Sequence, residues 1–306
     1  MRILLTGSAG RVGRAIYNAL IAHRHEVVGI DLTPSSTTHI VADFADLSLL
    51  TRAMVGVDAV IHTAALHAPH VGIRTDADFE RVNVNGTRLL AEAARQMGIN
   101  RIVFTSTTAL FGRTVAEGAA AWVTDETTPS PRTIYHRTKV AAELLLQEFA
   151  NDRLAVRVIR MSRCFPETAD LMAIYRLCRG VDVRDVATAH VNALTNDGPA
   201  YQQYIISGQT PFTPADCASL AVEPMVVLHR YVPDLVLAFE QRGWCLPTSI
   251  DRVYAGTEAH RQLHWQPRYG FQEVLAQLDR ASLEVLSVPQ KITRQQGHRA
   301  ITSYTK

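Results

Sequence analysis

A tyrosine and a lysine stand four positions apart in Tyr135-His136-Arg137-Thr138-Lys139, a spacing that puts both side chains on one face of a helix. A nearby ammonium favours a phenolate and lowers a tyrosine pKa from ~10 toward neutrality. Such a tyrosine can move a proton on a carbinol oxygen. Y-x-x-x-K alone is common by chance, and an exposed helix pair is the plain alternative. The start of the chain argues for chemistry. Arg2-Ile3-Leu4-Leu5-Thr6 runs straight into Gly7-Ser8-Ala9-Gly10-Arg11-Val12-Gly13, a glycine run between a strand and a helix. Gly7 permits a tight turn, Gly10 lets backbone N–H groups approach a pyrophosphate, and Gly13 lets the helix pack on the strand. Gly7, Gly10, Arg11, Val12 and Gly13 are therefore the candidate dinucleotide cradle, and the Tyr–Lys pair implies that the dinucleotide serves hydride transfer.

Asp31 closes the second apolar run. A carboxylate there accepts both ribose hydroxyls and repels a 2′-phosphate, which favours NAD over NADP. Arg11 and Arg14 are the cations able to pair with such a phosphate, and a turn role for Asp31 ahead of Pro34 is the alternative. Phe104-Thr105-Ser106-Thr107-Thr108 offers hydroxyls to hold a substrate oxygen, and Lys139 can also reach the nicotinamide ribose.

These residues need a scaffold, and the first half of the chain supplies one. Apolar runs at Ile3–Thr6, Val27–Asp31, Ala59–Thr63, Ile102–Ser106 and Val156–Met161 read as strands covered on both faces. Helical patterns lie between them at Val12–Ala22, Leu47–Met54, Phe79–Met97 and Thr138–Ala150. Further on, Asp185–Leu194, Pro233–Arg242, Thr257–Leu263 and Phe271–Leu286 read as helices and Tyr204–Ser207 as a strand. The expected fold is α/β: a Rossmann-type doubly wound parallel sheet with a small C-terminal substrate lobe. Residues 1–163 form the NAD-binding domain, 164–289 the lobe, with about 181–207 returning to the sheet, and 290–306 a polar tail.

Composition narrows the partners. With 47% apolar residues, 20% charged residues and a net charge of +2, the chain has no general pull toward nucleic acid or membrane. No signal peptide or membrane span is visible, and no metal centre is expected. Cys164, Cys178, Cys217 and Cys245 form no C-x-x-C pair and read as reduced thiols of a cytoplasmic protein.

Several motifs fall in one order: Thr6-Gly7-x-x-Gly10-x-x-Gly13, Asp31, Asp43-Phe44, His62-Thr63-Ala64-Ala65, Asn83-Val84-Asn85-Gly86-Thr87, Thr105-Ser106-Thr107 through Phe111-Gly112, and Tyr135-x-x-x-Lys139. In this order the chain resembles the extended short-chain dehydrogenase/reductases, the NAD-dependent epimerase/dehydratase family, over about residues 1–210. A weaker echo continues to Arg261-Gln262-Leu263-His264-Trp265-Gln266-Pro267. The resemblance implies that Asp43 meets the adenine amine and Phe44 its ring. It also implies that Ala64, Ala65 and Asn83 line the path to the nicotinamide, with Thr105 beside it. Thr107 takes the place of the active hydroxyl, Tyr135 and Lys139 complete the catalytic set, and His67 falls near cofactor and substrate. Relatives dimerise through the helices at Phe79–Met97 and Tyr135, so a homodimer is expected.

Three departures bear on the substrate. Thr108-Ala109 stands where the 4,6-dehydratases of the family carry Asp-Glu. The chain passes from Phe165-Pro166 to Asp185-Val186-Ala187 in fewer than twenty residues, leaving little room for the usual diphosphate grip. Arg160-Met161-Ser162-Arg163-Cys164-Phe165-Pro166-Glu167 resembles the short strand exit of uronate dehydrogenases, although their Asn-His pair and carboxylate-gripping Arg are not matched. Arg163 is the cation that could replace that grip, or it pairs with Glu167 or Asp170. The leading expectation is an NAD-dependent dehydrogenase of a small sugar, polyol or sugar acid, with His67, Ser106, Thr107 and Arg163 as candidate substrate contacts. The alternatives are a nucleotide-sugar epimerase that retains NAD and, less favoured, a non-catalytic NAD(P)-sensing protein.

Overall fold

The computed structural model describes residues 1–114 and 118–289; the expected tail at 290–306 lies outside the described residues. Seven parallel strands form one sheet: β1 (Arg2–Thr6), β2 (Glu26–Asp31), β3 (Ile40–Val41), β4 (Ala59–His62), β5 (Arg101–Thr107), β7 (Ala155–Met161) and β8 (Tyr201–Ile206). They run in the order β3-β2-β1-β4-β5-β7-β8. A short β6 (Ala121–Thr124) pairs outside this sheet with β9 (Arg252–Ala255). The order reverses at β1, where Thr6 lies between Ile30 and His62. The carboxyl ends of three strands therefore open on one crevice, the place where ligands sit in doubly wound sheets.

Alternation along each strand sends side chains to both faces. Ile3, Leu5, Ile61, Val103 and Ile159 pack under α1 (Arg11–Ala22) and α7 (Val183–Asn192). Leu4, Val60, Ile102, Val156 and Val158 pack under α2 (Leu47–Ala53), α4 (Gly86–Gln96) and α5 (Ile134–Phe149). This two-sided burial is why each strand reads as a nearly unbroken apolar run. Among the described residues, no helix is long and apolar enough to cross a membrane.

Three boundaries differ from expectation in ways that matter. The helix expected from Thr138 starts at Ile134, where the Thr133 hydroxyl accepts from the His136 N–H, so Tyr135 lies in its first turn. The helix expected at Phe79–Met97 begins as α3 (Asp76–Phe79) and passes through a π-helical turn at Glu80–Asn85 before α4. The helix expected at Thr257–Leu263 is α11 (Thr257–Gln262), and the one expected at Phe271–Leu286 ends early as α12 (Phe271–Asp279), because Ala281 takes a φ of +55° and redirects the chain. Leu286 then pairs with the 167–169 segment through Leu286 N–H to Glu167 C=O at 2.8 Å. The sequence reading also omitted α6 (Ala169–Cys178), α8 (Cys217–Val222) and α9 (Pro224–Tyr231). α6 is buried around most of its circumference, so it shows no clean amphipathic stripe. Together with α10 (Pro233–Arg242) and α12, α6 and α9 enclose a second core around Met172, Leu228, Phe239 and Val274.

Candidate active site

In the glycine run the tight turn at Gly7 and the close packing at Gly13 are both present. Gly7 has a φ of +72°, and a Cβ there would fall 2.5 Å from Thr63 Oγ1. A Cβ at Gly13 would stand 2.0 Å from the Gly7 carbonyl oxygen, so only glycine lets α1 lie against the loop. Gly10 caps α1 without a side-chain hydrogen bond, and no acidic residue occupies the first turn. The exposed N–H groups and the positive end of the helix dipole suit a pyrophosphate.

A cavity of about 380 Å³ runs from this loop past Asp31, Asp43 and Phe44 to Thr105, Ser106, Tyr135 and Lys139, and closes on Met161 and Phe165. Arg11, Val12, Ala64, Ala65 and His67 also border it. Asp31 accepts from Ala9 N–H at 3.0 Å and Thr33 N–H at 2.9 Å, which ties the glycine loop to the end of β2. Asp43 pairs with Arg81 at 2.9 Å. Arg11 donates to the Cys164 carbonyl at 2.9 Å and pairs with Glu284, whereas Arg14 is exposed and does not border the cavity.

Asn83 differs from expectation. It is buried in the π turn and borders no part of the cavity. Its amide instead clamps Leu66, accepting from Leu66 N–H at 2.8 Å and donating to Leu66 C=O at 2.9 Å, and reaches Thr138 Oγ1 at 3.1 Å. It thus couples the loop after β4 to the helix that carries Tyr135. A π turn interrupting a helix at a functional position is a recurrent arrangement.

At the inner end, the Tyr135 phenol stands beside Thr107, whose hydroxyl accepts from Ala109 N–H at 3.1 Å and does not itself border the cavity. Burial pushes the phenol pKa up to about 12, only partly opposed by Thr107. Lys139 donates from Nζ to the Thr105 carbonyl at 2.8 Å and lies 4.5 Å from the centre of the Phe104 ring. Burial pulls its pKa down to about 8, against the nearby Glu143. The expected lowering of the tyrosine pKa by Lys139 is therefore not what this structure shows. Desolvation of the phenol dominates, and the ammonium is directed at a carbonyl.

Two substrate candidates have other partners. The Ser106 hydroxyl donates to Glu143 at 2.5 Å, and Glu143 pairs with Arg160 at 2.7 Å with both side chains almost wholly buried. Arg163 donates through Nε and Nη2 to the Glu167 carboxylate at 2.6 Å each, so the surface pairing is the alternative realised. His67 stacks on Phe165, with centroids 6.2 Å apart and planes 12° apart.

Sequence reasoning missed Glu143, Arg160 and His190. His190 Nδ1 lies 2.8 Å from the Val186 carbonyl, which only a protonated Nδ1 can satisfy, so Nε2 accepts the Thr105 hydroxyl at 2.7 Å. Burial pulls the His190 pKa down to about 4 and keeps the ring neutral. Glu143 stands one turn beyond Lys139 on α5, and continuing the four-residue spacing would have found it. His190 carried no such signal. Trp265, in the weaker C-terminal echo, is buried and donates to the Asp185 carbonyl at 2.9 Å.

A parallel dinucleotide fold with a Tyr–Lys pair at the inner end of its cleft defines a short-chain dehydrogenase/reductase of the extended type. The chain belongs to the NAD dependent epimerase/dehydratase family, whose model matches residues 3–169. It is 31% identical over 157 residues to a 3-beta-hydroxysteroid dehydrogenase of Mycolicibacterium neoaurum, covering 46% of this chain and 41% of that one. It is also 31% identical over 171 residues to a 4-hydroxy-2-methyl-3-oxo-4-farnesyl-3,4-dihydroquinoline-1-oxide ketoreductase of Stigmatella aurantiaca, covering 52% and 49%. The matched stretch spans less than half the length of these curated relatives. Among solved structures, a short-chain dehydrogenase/reductase superfamily protein of Agrobacterium tumefaciens with bound NAD superposes with a TM-score of 0.69 at 20% identity, covering 92% of this chain and 97% of that one. UDP-glucose 4-epimerase of Thermotoga maritima gives 0.68 at 19% identity, covering 92% and 99%.

Proposed function

We propose that the protein is an NAD-dependent oxidoreductase that interconverts a carbinol and a carbonyl on a small molecule. The observation that carries this reading is the Tyr135 phenol at the inner end of the dinucleotide cavity, beside Thr107 and with Lys139 one turn behind it. The residues present suit the cofactor: the uncapped start of α1 for the pyrophosphate, Asp31 for the adenosine ribose, and Ala64 and Ala65 along the path inward. When bound, the nicotinamide supplies the hydride acceptor or donor. Tyr135 holds or moves the proton on the substrate oxygen, Thr107 stands beside the phenol, and Lys139 fixes the β5 end from which Thr107 projects. A phenol with a pKa of about 12 is protonated at neutral pH and is therefore set to donate, which favours carbonyl reduction near pH 7 and oxidation in alkali.

The Asp31 carboxylate supports NAD over NADP. Thr108-Ala109 lacks the acid–base pair needed for dehydration. Two curated relatives bear the names of a hydroxysteroid dehydrogenase and a ketoreductase, which supports net oxidoreduction over epimerisation. The sugar-acid reading needs a cation for the carboxylate, and Arg163 is already bound to Glu167.

The test follows absorbance of reduced cofactor with a panel of carbonyl compounds and alcohols, comparing the wild type with Tyr135→Phe. Expected is turnover that the variant loses by ~10²- to 10⁴-fold with nucleotide binding retained. Stoichiometric NAD carried through purification, with epimerisation of a nucleotide sugar and no net turnover, would replace this reading with that of an epimerase.

A further inference from the structure

The hydroxyls beside Tyr135 can be accounted for one by one. Thr105 donates to His190 and Ser106 donates to Glu143. Thr107 stands beside Tyr135 and accepts from Ala109 N–H at 3.1 Å. Arg163, the nearest expected cation, donates to Glu167 through two nitrogens. With the hydrogens of Thr105 and Ser106 committed, Tyr135 remains the hydroxyl donor at this end of the cavity for one reacting oxygen. The cavity is bordered here by Leu66, Met161 and Phe165 and by the face of His67 stacked on Phe165, while its charged border residues Arg74, Asp78 and Arg81 group with Asp43. Burial lowers the His67 pKa, and the two neighbouring groups that also act on it, His70 and Lys139, push the same way, so the ring is an uncharged flat wall. Among the described residues, none beyond Phe165 borders the cavity, so the C-terminal lobe adds no polar side chain there.

A polyhydroxylated substrate would lose water from several hydroxyls here and recover few hydrogen bonds. An apolar ring gains from the same walls. We propose that the substrate is an apolar cyclic secondary alcohol or its ketone, held by Leu66, Met161 and the Phe165–His67 stack, with its single oxygen on Tyr135. This rests on the dehydrogenase reading above. In oxidation the carbinol carbon gives its hydrogen with both electrons to an oxidised nicotinamide, the hydroxyl proton goes to the Tyr135 phenolate present in alkali, and C=O forms. In reduction each transfer reverses.

The test uses the purified full chain with reduced NAD and cyclohexanone or 1-decalone, and with NAD and sorbitol or glucuronate. Expected is kcat/KM at least tenfold higher for 1-decalone than for cyclohexanone, with no turnover of the two polar compounds. Phe165→Ala should raise KM for 1-decalone about tenfold while kcat stays within about threefold, and Phe165→Tyr should restore KM. Calorimetry should find 1-decalone binding to NAD-loaded Tyr135→Phe protein with a negative heat-capacity change. Turnover of sorbitol or glucuronate without the ketones overturns this inference and leaves the dehydrogenase reading standing. Binding of 1-decalone without turnover by the wild type overturns the dehydrogenase reading and keeps the apolar class. Absence of both binding and turnover of the ketones overturns the inference.

Discussion

Lys139 places its ammonium on the Thr105 carbonyl, 2.8 Å away. The lysine is therefore a strut between α5 and the end of β5, and it holds the strand that presents Thr107 to Tyr135. Both members of the Tyr–Lys pair are buried, and burial drives their pKa values apart from their ordinary ranges in the direction that favours the neutral forms.

That separation predicts how stability depends on pH in protein without added nucleotide. Lys139 falls from 10.5 to about 8 on folding, so between these values the unfolded chain binds more protons and stability rises with pH. Tyr135 rises from 10.0 to about 12, so between these values the folded chain binds more protons and stability falls with pH. Urea midpoints measured from pH 7 to 11.5, on the order of half-unit steps, should climb from about 8 and turn over above about 10. Lys139→Met should flatten the climb and Tyr135→Phe should flatten the descent. A climb that survives in Lys139→Met would assign it to another group.

Cofactor choice rests on Asp31. Its carboxylate already accepts two backbone N–H groups, and its charge faces the cavity. Asp31→Ser removes the charge that repels a 2′-phosphate while keeping a short acceptor. The ratio of NAD to NADP affinity, measured by calorimetry, should fall at least tenfold, about 1.4 kcal/mol. An unchanged ratio would move the discrimination to Arg11 or Arg14.

Asn83 carries a prediction that separates positioning from contact. Asn83→Ala strands the Leu66 N–H and C=O at the loop that borders the cavity, and it removes the tie to Thr138, whose hydroxyl keeps its own bonds to the Ile134 and Tyr135 carbonyls. Each stranded buried group costs about 1–3 kcal/mol. Denaturation should report a loss of at least ~2 kcal/mol on that basis, with a larger effect on KM for substrate than on affinity for NAD. A variant with full stability would show that water replaces the amide.

The cradle, the strands and the Tyr–Lys pair were legible in the sequence because each obeys a local rule. Strands such as Ile3–Thr6 and Val156–Met161 are covered on both faces and read as apolar runs, and the glycines follow a strand end. What local rules miss is the choice of partner. The spacing of Tyr135 and Lys139 implied a direct electrostatic coupling, yet Lys139 found a carbonyl on β5, a neighbour set by the sheet register. Arg160 and Glu143 carry no local sign that they pair, one lying on a strand and the other on a helix; only the packing of α5 across β5 and β7 buries them together. α6 escaped notice for the opposite reason, since a helix buried on most sides has no polar face to mark its period.

The Glu143–Arg160 pair yields the last prediction. Both side chains are almost fully buried, Glu143 also accepts the Ser106 hydroxyl, and Arg160 Nη1 has no hydrogen-bond partner, while the guanidinium carbon lies over the Phe111 ring at 5.6 Å from its centre. Removing one partner leaves a buried charge uncompensated, whereas replacing both with apolar groups removes the desolvation cost as well. Glu143→Leu and Arg160→Met should each destabilise the fold by about 3–5 kcal/mol, and the double variant by less than the worse single one. The double variant also frees the Ser106 hydroxyl toward the cavity. If the polar inventory sets substrate choice, that variant should gain affinity for a substrate bearing a second hydroxyl while its turnover of ring ketones persists. Additive destabilisation in the double variant would mean that each side chain acts alone, with Ser106 held by some other acceptor.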